Sequence, residues 1–106
     1  MNFNEYQKLA RTTAVYPEEH KVVYPALGLC GEAGEVADKI KKTVRGDRPL
    51  EEVTGNIADE LGDVLWYLAI LADDLGIPLE DIAHWNVDKL QRRMKNNKIR
   101  GDGDNR

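Results

Sequence analysis

From Val64 to Ala72 the chain reads Val-Leu-Trp-Tyr-Leu-Ala-Ile-Leu-Ala, an apolar run of nine residues bracketed by Asp63 and Asp73. That is far short of the roughly 20 residues that cross a bilayer. As a helix the run is apolar on every side, whereas a surface helix of a small bundle needs only one apolar stripe. The chain has 106 residues, the size of one domain. Three other short helices can hardly cover such a helix all round. The run therefore predicts the centre of an all-α domain whose cover is completed by further copies of the same chain, as a homodimer or a dimer-of-dimers tetramer, the alternative being a central helix with one exposed apolar patch.

Three more helices can be read around it. The first runs from about Asn4, as N-cap, to about Val15, with Tyr6, Leu9 and Ala10 on one side. Tyr16-Pro17 ends it, because the residue before proline is pushed out of the α region. Pro25 fits the first turn of the second, which continues to about Val44 with Leu29, Val36, Ile40 and Val44 at core-like spacings. Arg45-Gly46-Asp47-Arg48-Pro49 breaks the pattern. The third helix, which holds the apolar run, begins between Leu50 and Ile57, with Gly55-Asn56 expected to delay or distort its start. It ends near Leu75 with Gly76 at the C′ position, and Pro78 opens a fourth helix that ends near Asn96. No sustained period-two alternation marks a strand. Residues 1–106 are expected to form a single domain with a flexible tail over about 97–106.

Charge and cysteine content narrow the function classes. Fifteen basic against nineteen acidic residues give a net charge of -4, which disfavours a nucleic-acid coat or an anionic-membrane binder. The N-terminus has no basic n-region and no apolar h-region, so no signal peptide is read. Cys30 is the single cysteine, which excludes an intrachain disulfide and a cysteine-based zinc site and fits a reducing cytoplasm.

Two acid pairs carry the chemistry. Glu32 and Glu35 lie three apart on the second helix, and Glu60 and Asp63 lie three apart on the third, so each pair shares a helix face. Antiparallel packing of these helices would bring four carboxylates together. Without counter-ions they would repel and favour protonation. A hard divalent cation with oxygen ligands, Mg²⁺ or Mn²⁺, removes the conflict. Gly28, Gly31 and Gly34 accompany the first pair, and glycine costs about 1 kcal/mol relative to alanine inside a helix, which points to a close approach. Spacing alone leaves two readings open, a metal site or two solvated helix faces. His20 and His84 are isolated, which argues against a zinc protease and a di-iron bundle.

Leu27-Gly28-Leu29-Cys30-Gly31-Glu32-Ala33-Gly34-Glu35-Val36, followed by Asp59-Glu60-Leu61-Gly62-Asp63-Val64-Leu65-Trp66-Tyr67, resembles the MazG-like nucleoside triphosphate pyrophosphohydrolases. The family pattern is E-E-x-x-E, a spacer, then E-x-x-D. Gly31 stands here in place of the leading glutamate. Tyr24-Pro25-Ala26-Leu27-Gly28 is similar to the family's entry to its second helix, and Asn86 to Arg93 to its N-x-x-K-L-x-x-R fourth helix. The resemblance implies a four-helix MazG-like bundle that packs further across an oligomer interface. It also implies hydrolysis of a nucleoside triphosphate, a dNTP above all, to the monophosphate and pyrophosphate, for nucleotide-pool control or house-cleaning. Glu32, Glu35, Glu60 and Asp63 would be the catalytic and metal-binding residues, holding Mg²⁺ with Mn²⁺ as substitute. Lys39, Tyr67, Asn86, Lys89 and Arg93 would bind substrate, and Trp66, Tyr16 and Gln7 are candidates to frame the base. The alternatives are a phosphoribosyl-ATP pyrophosphohydrolase-type activity and a non-catalytic helical regulatory module.

Overall fold

The longest helices, α2 (Val23–Arg45) and α3 (Leu50–Asp74), lie antiparallel, with α1 (Phe3–Arg11) and α4 (Leu79–Lys95) packed against α3. This computed structural model describes residues 1–104, and among them a single 3₁₀ turn, Glu18–His20, is the only other regular element. The protein is all-α, with four helices and no strand among the described residues.

The helix boundaries follow local chemistry, with three departures from the sequence reading. The N-cap of α1 is Asn2, not Asn4: its side chain accepts from the Glu5 N–H at 2.8 Å, and the Glu5 carboxylate accepts from the Asn2 N–H at 3.1 Å, a reciprocal capping box. The helix stops at Arg11 rather than near Val15. The hydroxyls of Thr12 and Thr13 donate to the carbonyls of Leu9 and Ala10 at 2.6 and 2.9 Å, an alternative to continued helical bonding. Gly55-Asn56 does not delay α3, which begins at Leu50 directly after Pro49. Its other end is as read. Gly76 has φ +73°, its N–H donates to the Asp73 carbonyl and that of Ile77 to Ala72, which is a Schellman closure.

The first turn of α4 is capped from α1. Pro78 gives no side-chain cap, and the orphan N–H groups of Leu79 and Glu80 donate to Gln7 Oε1 at 3.1 Å and Asn4 Oδ1 at 3.0 Å. Gln7 Nε2 donates in turn to the carbonyls of Ala69 and Ile77. Gln7 is thus buried and consumed by helix-end satisfaction, which removes it from the candidates that could frame a base.

The loop between α1 and α2 is fastened at Asp74. Its carboxylate accepts from Tyr16 OH at 2.5 Å, Arg11 Nη2 at 2.6 Å and the Val22 N–H at 2.9 Å, and its side chain is 1% exposed. Val22 has φ +68°, a strained state for a β-branched residue, and it is held at the point where α2 begins.

The centre of the core is Ala10, Ala69, Ile70 and Leu79, with Tyr6, Tyr16, Trp66, Leu68 and Ile82 against it. Of the apolar run, Ala69, Ile70 and Ala72 are buried and Val64 to Leu68 and Leu71 are half-buried. On α2 only Pro25 is buried, and Ile40 and Val44, read as core positions, are 40% and 83% exposed.

Burial by itself raises the Asp74 pKa, but its three donors hold it below the usual carboxylate range. Its contribution is therefore complete above the unfolded value of about 3.9 and is lost as pH falls through the lower folded value. We expect Asp74→Ala to cost roughly 3 kcal/mol at neutral pH, because buried donors lose their acceptor. Thermal melts at pH 7 and pH 3 should show that deficit shrinking as the solution is acidified.

Candidate functional site

The α2–α3 seam is the one place among the described residues where three potential metal ligands converge. Tyr24, Gly28, Glu32, Glu35 and Lys39 recur at offsets of three and four along α2, and Glu60, Asp63 and Tyr67 do so along α3, so each set forms one face. The seam is tightest at Gly28. A Cβ there would lie 2.2 Å from Tyr67 Cε1, so the phenol ring occupies the space that any other residue would fill. Gly31 and Gly34, expected to serve a similar approach, have nothing within 4 Å of a built Cβ.

Next along the seam, Glu32, Glu60 and Asp63 each place a carboxylate oxygen within 4.8 Å of the others. Glu32 and Glu60 are half-buried and Asp63 is exposed. A hydrogen bond with Glu60, then burial, then the charges of Glu60, Asp63 and Glu35 together raise the Glu32 pKa. Glu35 is exposed and outside the cluster of three, although its charge is felt there. Lys39 Nζ approaches Glu60 Oε1 at 3.6 Å. Glu60 Oε2 is buried and has no hydrogen-bond partner. An orphaned carboxylate oxygen within an oxygen-only donor set fits a hard divalent cation and not zinc, which prefers nitrogen or sulfur.

Aromatic rings flank the acids on the Gly28 side. Tyr67 meets Trp66 edge-on with centroids 5.0 Å apart and Tyr24 at 6.3 Å, and Tyr24 stacks on Tyr16 at 4.8 Å. Burial, then Tyr24, then the charges of Glu32 and Asp63 raise the Tyr67 pKa, which puts this phenol beside the acids. Tyr16, Pro17, Tyr24 and Trp66 line a cleft of about 280 Å³. On the Lys39 side, Lys39, Lys42, Thr43, Arg48 and Asn56 line another of about 220 Å³. Tyr24, Lys42 and Arg48 were not singled out from sequence. The clustering of Lys39, Lys41, Lys42, Arg45 and Arg48 was the available signal for the second cleft.

The fourth-helix residues lie elsewhere. Asn86 is exposed beside an apolar cleft lined by Phe3, Leu65, Leu68 and Ile82. Lys89 and Arg93 both hold Asp104. Within one chain these three residues are not joined to the acids by any described contact.

The MazG nucleotide pyrophosphohydrolase domain matches residues 24–97, the stretch that holds the whole α2–α3 seam and α4. The Gene 37 protein of Mycobacterium phage L5 is 40% identical over 114 aligned residues, covering all of both chains. The "Uncharacterized protein YvdC" of Bacillus subtilis (strain 168) is 36% identical over 74 residues, 63% of this chain and 70% of the relative. No solved structure matches.

The site yields two expectations. Gly28→Ala should destabilise by about 1–3 kcal/mol through overpacking against Tyr67, whereas Gly55→Ala, with open space around it, should stabilise by up to about 1 kcal/mol. Melting curves of both variants test this. The raised Glu32 pKa has the opposite sign to that of Asp74: its contribution is fullest below the unfolded value of about 4.3 and declines as pH rises through the folded one. In chelator, Glu32→Gln should therefore gain in melting temperature over the unmodified protein between pH 4.5 and 7. A divalent cation should erase that advantage.

Proposed function

The chain belongs to the MazG nucleotide pyrophosphohydrolase family, and from that membership we propose that it hydrolyses nucleoside triphosphates, dNTPs foremost, at the α-phosphorus. The observation that carries the site assignment is the trio of carboxylate oxygens within 4.8 Å, one of the acids having a buried oxygen without a partner. Glu32, Glu60 and Asp63, joined by Glu35 from the next turn of α2, would hold Mg²⁺, with Mn²⁺ as substitute. When bound, such an ion supplies positive charge against phosphate oxygens and makes water more acidic.

The chain's own groups do the rest. A water oxygen attacks the α-phosphorus, the bond to the bridging oxygen breaks, and pyrophosphate leaves. Glu35 is exposed and least committed to the cluster, so it accepts the water's proton. Lys39 lies between the acids and the cationic cleft, and it exchanges Glu60 for a phosphate oxygen as a point charge. Tyr67 packs against the nucleoside beside the acids. Asn86, Lys89 and Arg93 lie on another part of the chain, and they would reach the phosphates of a site in a neighbouring copy.

Surface area supports self-association. The chain exposes 7635 Å², where a folded monomer of 12.0 kDa is expected to expose about 6,000 Å². Its radius of gyration is 16.6 Å, against about 13 Å for a compact domain of this length. Exposed Leu27, Ile40, Val44 and Leu61 would be covered in a homodimer or a dimer-of-dimers tetramer. No described helix is long and apolar enough to cross a membrane; the single cysteine and the net charge of -4 support a cytoplasmic reading with neither nucleic acid nor membrane as partner.

A pyrophosphate-release assay over the common NTPs and dNTPs, with Mg²⁺, Mn²⁺ or EDTA, tests the reading. Glu35→Gln and Glu60→Gln should each lower kcat on the order of a hundredfold or more, which corresponds to at least about 2.7 kcal/mol of transition-state stabilisation. Glu51→Gln, outside the cluster, should leave it near its starting value. Full activity in EDTA, or orthophosphate as the primary product, would overturn the assignment, and a monomeric mass by light scattering would remove the shared site.

A further inference from the structure

The residues after α4 fold back onto it. Asn97, Gly101 and Gly103 have φ of +56°, +148° and +78°, and these turns bring Asp104 against the last two turns of the helix. Lys89 Nζ lies 3.2 Å from Asp104 Oδ1. Arg93 Nη2 donates to the Asp104 carbonyl at 2.6 Å and approaches the same Oδ1 at 3.3 Å. One carboxylate thus faces two cations.

The cations and the carboxylate differ in their surroundings. The Arg93 side chain is 4% exposed, while that of Asp104 is 81% exposed. Arginine is rarely buried without a partner, and it carries five N–H donors. Among the described residues its hydrogen bonds use Nη2 alone, and Nε is buried without a partner. The pair therefore has more positive charge and more donors than Asp104 can satisfy. A phosphate group, with higher charge and three acceptor oxygens, matches it better.

We propose that Lys89 and Arg93 form a phosphate-binding site which Asp104 closes in the substrate-free chain, and that the phosphate chain of the nucleotide opens it by displacing this carboxylate. The inference rests on the placement of Lys89 and Arg93 in the nucleotide site proposed above, and it adds a gate to that site. The occupant belongs to the protein itself, so substrate affinity carries the cost of removing it. Asp104 itself is 81% exposed, so an incoming phosphate reaches the contact from the solvent side and takes over its hydrogen bonds as the carboxylate leaves.

The test separates this gate from the enzyme reading by measuring binding without catalysis. Tripolyphosphate is titrated calorimetrically into the full chain in EDTA at low ionic strength. Asp104→Asn removes the competing charge and keeps the shape, and it should bind tripolyphosphate about fivefold tighter than the unmodified chain. Lys89→Gln should abolish the binding. In turnover assays Asp104→Asn should lower KM by a similar factor with kcat unchanged. If no nucleotide is turned over, the proposed activity fails while the binding result still decides the gate. Unaltered or weaker affinity in Asp104→Asn with a lower melting temperature would make Asp104 a structural clip and overturn the proposal. Binding insensitive to Lys89→Gln, or none at all, would overturn it equally.

Discussion

Close approach of α2 to α3 is the constraint on which the candidate site depends. The helices meet where the Tyr67 ring lies over Gly28, and this contact sets which residues face each other further along the seam. One turn beyond Gly28 come Glu32 on α2 and Asp63 on α3, then Glu60 and Lys39. Three acids meet there with one lysine nearby. Proximity enforced by apolar packing at one end thus creates an electrostatic conflict at the middle. The raised Glu32 pKa reflects that conflict, and a divalent cation would relieve it.

The polar groups of α1 do structural work across the chain. Asn4 and Gln7 satisfy the start of α4, and Arg11 joins Tyr16 on Asp74. Asp74 also holds Val22 in the backbone state from which α2 departs. The direction of α2, and with it the position of Glu32, is therefore linked to a buried carboxylate eleven residues of helix away from Asp63, roughly 17 Å at 1.5 Å per residue. Tyr16 belongs both to this anchor and to the aromatic cleft beside Tyr67, so the same ring ties the loop down and shapes the approach to the acids.

The protomer is sparingly buried for a chain of its length. α2 is covered along its α3 face and exposes Leu27, Ile40 and Val44 elsewhere. The proposed neighbouring copy would answer both features, covering the apolar surface and bringing α4 cations to the acids.

The sequence by itself determined the helical class, the break points at Gly46 and Gly76, and the family. Those properties are local: helix periodicity, a glycine at positive φ, and acid pairs spaced by three register within a few residues. Spacing offered a meeting of four acids or two solvated faces, and antiparallel packing across the short turn brings three of the four, Glu32, Glu60 and Asp63, together. Tertiary structure decided what local pattern cannot carry. The α1 boundary moved because Asn4 is drawn to the N-terminus of α4 while Asn2 caps its own helix. Gln7 became a helix cap, Ile40 and Val44 stayed exposed, and Glu35 fell outside the trio although its spacing from Glu32 is the same as that of Glu60 from Asp63. Arg93 and Lys89 share a face by sequence, but only the folded chain turns Asp104 back onto it. In each case the deciding partner lies far along the chain or across a helix pair, and neither periodicity nor spacing records which donor will be left without one.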